Sequence, residues 1–141
     1  MKNILPRDEN VWLLVADSAR AEAGGKMSLF GFYGTERIQI QDSIALPSAL
    51  PLVFVFLLRE GVGRFLATFQ IRDPNGELVH SENLAPVMKP SARDNHGVAV
   101  TLAPFQIPSL GSYKLTLTLD GKRYKRTFTV ESDALSLPTK H

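Results

Sequence analysis

The triplet Gly24-Gly25-Lys26 holds the ingredients of a phosphate cradle, since glycine amides and a lysine ammonium both donate to phosphate oxygens. The spacing denies it. Arg20 stands where the first glycine of such a loop belongs, and Met27 replaces the Ser or Thr that would hold magnesium. A turn feeding a strand is the reading these residues support. Serine hydrolysis is equally unprovided for, because the chain has no Gly-x-Ser-x-Gly elbow. His80, His96 and His141 are too scattered to act as a metal pair along one element, and each reads as a surface or hydrogen-bonded side chain. Asp42, Asp73, Asp94 and Asp120 fall in expected loops without Asp-x-Asp spacing, so they read as turn residues that bond their own backbone rather than as calcium ligands. No catalytic set is assembled along the chain; no cofactor and no metal are expected.

Two polar groupings remain. Asp17, Arg20, Glu22 and Lys26 place both signs of charge in one short loop, the candidate polar site for a small ligand or an enzyme reaction; a solvated loop explains them equally. Lys122, Arg123, Lys125 and Arg126, with Lys114 across a hairpin, form the basic cluster, a candidate surface for nucleic acid or anionic lipid. An outer strand face kept basic to discourage edge-to-edge pairing accounts for the same residues without a ligand. Nucleic acid is the disfavoured partner on this reading, because Tyr124 points to the apolar face and the net charge is only +2.

The elements that must position these groups are strands. Tyr113, Leu115, Leu117 and Leu119 alternate strictly, Asp120-Gly121 is a pair that accepts positive φ, and Tyr124, Phe128 and Val130 follow, which predicts a β-hairpin. A two-residue loop sets Leu117 opposite Tyr124, Tyr113 opposite Phe128, Thr118 opposite Arg123 and Thr116 opposite Lys125. A three-residue loop would slip the leucines against Lys125 and Thr127. The favoured register leaves Arg126 on the apolar face beside Leu115, where it must find a carboxylate or a carbonyl, or snorkel out.

Upstream, residues 11–16 are apolar on both alternating faces and are expected inside a sheet. Residues 18–26 read as a loop or short helical turn stopped by Gly24-Gly25, and residues 27–33 with 37–40 read as one strand interrupted at Gly34. Pro47 and Pro51 bracket a turn before the most apolar strand, residues 52–59. Glu60-Gly61-Val62-Gly63 is expected as a hairpin loop, leading to an alternating strand over 65–72. Asp73-Pro74-Asn75-Gly76 is a turn, residues 77–82 the returning strand, 84–95 a long loop and 97–105 a further strand. The expected fold is all-β: a two-sheet antiparallel sandwich, immunoglobulin-like, of about nine strands, occupying residues 1–130, with residues 131–141 as a flexible tail.

Length and composition agree. A chain of 141 residues, 44% hydrophobic and 21% charged, is one domain able to bury its own core without a metal or disulfide. Zero cysteines exclude a disulfide framework, a zinc-thiolate site and a cysteine nucleophile together. Pro6, Arg7, Asp8 and Glu9 interrupt the start before any apolar run, so no signal peptide is read, and residues 50–58 are too few to cross a bilayer. A soluble cytoplasmic protein is expected.

Pro108-Ser109-Leu110-Gly111-Ser112-Tyr113 resembles the corner before a late strand of immunoglobulin-like sandwiches, where the tyrosine hydroxyl bonds back to upstream backbone. Ala16-Asp17-Ser18-Ala19, Gly24-Gly25-Lys26-Met27-Ser28-Leu29 and Gly31, taken with that closing hairpin, resemble a family of small uncharacterised bacterial proteins across about the whole chain. The resemblance implies no activity, cofactor or catalytic residue to carry over. The leading functional expectation is a non-catalytic binding module whose partner is a protein, or a second copy of the chain. The alternatives are a ligand or enzyme site in the Asp17, Arg20, Glu22, Lys26 loop, and anionic-surface binding by Arg123, Lys125 and Arg126 on the terminal hairpin.

Overall fold

In the computed structural model, which describes residues 2–23, 26–33, 37–40 and 48–132, Asp120 and Gly121 take φ values of 46° and 86°. Both are the positive values that a two-residue hairpin turn requires. The turn joins β11 (Gly111–Leu119) to β12 (Lys122–Ser132), with strands numbered along the chain. Leu117 faces Tyr124, Tyr113 faces Phe128 and Leu115 faces Arg126, the register that alternation predicts. This hairpin is the centre of a five-stranded sheet in the order β4 (Arg37–Ile40), β12, β11, β7 (Ala67–Arg72), β8 (Leu78–Asn83). The sheet is antiparallel except that β4 runs parallel to β12.

A three-stranded antiparallel sheet packs against it, in the order β1 (Val11–Ala16), β5 (Ser48–Leu58), β10 (His96–Ile107). The two inner faces share one core, in which the Phe54 ring lies 6.0 Å from Phe69, 6.1 Å from Phe105 and 5.2 Å from Phe128. Aromatic pairs at these separations add to the area they bury. Two short pairs complete the described residues: β2 (Ser18–Ala21) with β3 (Met27–Phe30), and β6 (Gly63–Phe65) with β9 (Val87–Lys89).

Several expectations change, each for a tertiary reason. β1 is an edge strand, not an interior one. Its outer side chains Leu14 and Ala16 are apolar because the β2–β3 hairpin folds over that part of the face, where Leu14, Ala19 and Leu29 pack on Ala16, Val53 and Val55, while Trp12 stays exposed under Arg59. Residues 18–21 are therefore strand rather than loop or helical turn. β3 and β4, expected as one interrupted strand, belong to different sheets. Residues 60–62 lead from β5 into β6 rather than closing a hairpin, since β5 does not pair with β6 or β7. Pro51 lies within β5, opposite the register shift between Leu102 and Phe105 of β10, where a residue without an N–H breaks no regular ladder. The long loop 84–95 contains β9, and the strand count among the described residues is twelve rather than about nine. Glu131 and Ser132, expected in the tail, continue β12 beside Gln39 and Ile40. Gly24, Gly25, Gly34, Asp42, Pro47 and residues 133–141 lie outside the described residues.

The corner before β11 forms as the motif suggests. The buried Tyr113 hydroxyl donates to the Ser109 carbonyl at 2.6 Å and accepts from the Ser109 amide at 3.3 Å. Gly111 holds φ +128°, and a Cβ there would stand 2.9 Å from Pro74 Cγ, so glycine is required twice over. Tyr113→Phe removes a hydroxyl that bonds both the amide and the carbonyl of Ser109. It is expected to cost about 1–1.5 kcal/mol in chemical denaturation with an unchanged m-value.

Candidate functional site

Asp17, Arg20, Glu22 and Lys26 do not converge. Asp17 sits at the base of the β2–β3 hairpin, where its Oδ1 accepts from Tyr33 Oη at 3.0 Å and its carboxylate fills the space beside Gly31. Burial, and then that hydrogen bond, push the Tyr33 phenol up to about 12. Glu22, near the far end, is consumed locally, accepting from Arg20 Nε at 3.3 Å and Ser28 Oγ at 2.7 Å, while its amide bonds the Lys26 carbonyl at 2.8 Å. Arg20 also lies 5.5 Å over the Phe30 ring. The four are hairpin-stabilising contacts strung along one ribbon, not a cavity lining.

The other candidates resolve as structure. Asp73 Oδ1 accepts from the Asn75 and Glu77 amides at 2.9 Å each, the turn role expected of it. Asp120 Oδ1 accepts from the Leu66 amide at 2.7 Å. His80 Nε2 stands 2.7 Å from Glu82 Oε1, and burial lowers the His96 pKa, with the Lys89 charge adding to it. Among the described residues no three His, Cys, Asp or Glu side chains gather where a metal ion could be held.

Arg126 is held from inside. With its side chain 18% exposed, it donates to the Asp8 carbonyl at 2.8 Å, the Val11 carbonyl at 2.6 Å, Asp8 Oδ1 at 3.1 Å and its own neighbour's carbonyl, that of Lys125, at 2.7 Å. Tyr124 Oη and Lys122 Nζ both donate to the Pro6 carbonyl, at 2.7 and 3.0 Å. Burial, with the Asp8 charge next, pushes the Tyr124 phenol up to about 12. Two of the basic cluster, Lys122 and Arg126, thus tie the N-terminal segment across the end of the sandwich.

The rest of the cluster faces outward and gains a neighbour. The register places Thr68, Thr118 and Arg123 in one row across β7, β11 and β12, Gln70, Thr116 and Lys125 in the next, and Arg72, Lys114 and Thr127 in the third. These residues line a shallow depression of about 1030 Å³ on the outer face of the five-stranded sheet. Threonine hydroxyls and one amide line it beside four exposed cations, Arg72, Lys114, Arg123 and Lys125, with Leu115, Gly121 and the half-buried Arg126 completing the lining. Arg72 spends one donor on the Gly76 carbonyl at 3.0 Å; Lys114, Arg123 and Lys125 make no ion pair with any described residue. Sequence spacing locates the hairpin's share of this surface but not Arg72, Gln70 and Thr68. Their outward phase was legible in the alternation of residues 65–72, while the pairing of β7 with β11 was not.

Among the described residues no helix is long and apolar enough to cross a membrane. No curated protein matches the chain. A solved structure similar to it is that of the alkylpurine DNA glycosylase AlkC of Pseudomonas fluorescens bound to DNA containing an abasic-site analogue, at 11% identity and a TM-score of 0.42. That match covers 70% of this chain and 28% of the other, so the chain spans well under a third of that protein's length. The model of a family of unknown function (DUF6941) matches residues 11–130, from the first residue of β1 into the last turn-and-strand unit, and the chain belongs to that family.

Proposed function

We propose that this domain is a non-catalytic binding module and that its binding surface is the outer face of the five-stranded sheet, which takes a polyanionic partner. The observation that carries the reading is the grouping of Arg72, Lys114, Arg123 and Lys125 among threonines with no carboxylate in the lining. On a chain of net charge only +2 with 14 Asp and Glu residues, this segregation of one sign creates a local field that the overall charge conceals. The threonines serve the strands as well, being β-branched, so the surface is compatible with sheet stability as it stands.

Retention on a heparin column tests the reading. The protein is expected to elute at a salt concentration that falls sharply in the Arg123→Glu, Lys125→Glu double variant. It should fall far less in Arg59→Glu, Arg93→Glu, which changes the net charge equally at exposed positions, Arg59 directly after β5 of the other sheet and Arg93 outside the lining. Equal loss in both variants, or no retention of the parent protein, would reject the surface. Substituting Arg20 and Lys26 is expected to leave elution nearly unchanged, because those residues lie on the hairpin over the opposite sheet.

A further inference from the structure

We infer that the anion this face takes is the phosphodiester backbone of duplex nucleic acid, an inference that rests on the binding role just proposed for the same face. Donor balance is the first argument. Arg72, Lys114, Arg123 and Lys125 only donate, the hydroxyls of Thr68, Thr116, Thr118 and Thr127 are free to donate, and no carboxylate lines the depression. The backbone beneath is committed to the ladders of β7, β11 and β12. Phosphodiester oxygens only accept, so they can take up the donors of the four cations, the four hydroxyls and the Gln70 amide nitrogen.

Orientation of the rings is the second argument. The aromatic residues of these three strands, Phe69, Tyr113, Tyr124 and Phe128, all point into the core. A single strand is held largely by stacking its bases on aromatic side chains, and this face has none to give. It can grip only a backbone whose bases are already stacked on one another, which is the condition of a duplex.

Spacing is the third. Arg123 and Lys125 stand two residues apart on β12, about 7 Å, Arg72 stands on β7 two strand spacings away, about 10 Å, and Lys114 lies on β11 between, so the cations border the hydroxyl rows along β12 and along the last row. Four cations along a shallow hollow suit a convex, regularly charged rod. Nothing on the face reads base edges, so binding is independent of base sequence.

Fluorescence anisotropy with a labelled duplex of about 20 base pairs tests this, using the full chain. If four phosphates are neutralised, log K falls against log salt with a slope of about −3.6, or about 150-fold between 50 and 200 mM. Replacing any one of Arg72, Lys114, Arg123 or Lys125 by alanine is expected to flatten the slope by about 0.9, while the circular dichroism melt stays unchanged. Scrambling the duplex sequence should alter affinity by less than about twofold, and the separated strand should bind at least about tenfold more weakly. If heparin or polyglutamate binds through these four residues while the duplex does not, nucleic acid is the wrong class and the binding role survives. If none of the three binds, both fall. A duplex slope insensitive to all four substitutions places the contact elsewhere and overturns the inference.

Discussion

Arg126→Met is expected to lower the stability of the domain by about 3 kcal/mol, read as a drop in the denaturant midpoint with little change in slope. The side chain lies on the inward side of β12 opposite Leu115, and its guanidinium reaches the carbonyls of Asp8 and Val11 at 2.8 and 2.6 Å. Methionine matches the aliphatic stem but cannot donate, so both carbonyls lose a charge-assisted partner beneath the N-terminal segment. The carboxylate contact carries little of this. Asp8 is 63% exposed, and Asp8→Ala is expected to cost less than about 1 kcal/mol. If Asp8→Ala proves as damaging as Arg126→Met, the clamp acts through the ion pair and the carbonyl account is wrong. The hydroxyl of Tyr124 on the Pro6 carbonyl is the adjoining fastening of the same segment.

Lys89→Met is expected to act in the opposite direction and stabilise the domain by about 1–2 kcal/mol at neutral pH. Lys89 ends β9 fully buried, its ammonium donating to the Ser91 carbonyl at 2.7 Å without an ion pair at contact distance. Desolvation lowers its pKa from the usual 10.5, although the charges of Asp94 and Glu60 oppose the shift. A base with a depressed folded pKa binds fewer protons folded than unfolded, so stability rises with pH between the two values. The penalty is therefore complete below the depressed pKa and fades as pH climbs toward 10.5. The advantage of Lys89→Met over the parent should shrink across that alkaline window. Tyr33 and Tyr124, whose raised values make the fold lose stability above about pH 10, are common to both proteins and cancel in the difference. A variant less stable than the parent at pH 7 would mean that the ammonium is held by more than the Ser91 carbonyl.

Local chemistry was readable wherever the partner lies close in sequence. The Asp120-Gly121 turn, the hairpin register, the Tyr113 hydroxyl on Ser109 and the Asp73 turn each depend on contacts within a few residues or across one tight loop. Arg126 was identifiable as out of place, because period-two alternation assigns every side chain of a strand to a face. What it bonds was not identifiable, since Asp8 and Val11 lie more than a hundred residues away. Residues 18–21 misled for a related reason: alanine and arginine favour helix in isolation, and only docking on Val53 and Val55 makes those four a strand.

The candidate surface divides along the same line. Lys114, Arg123 and Lys125 share a hairpin, so alternation alone sets them on one outward face. Arg72 joins them only because β7 pairs with β11, a contact between segments some forty residues apart. Side-chain phase is a property of each strand and is written in its own residues. Which strands become neighbours is chosen by the burial of a common core, through the packing of Phe54, Phe69, Phe105 and Phe128 from both sheets, and no single stretch of the chain contains that choice.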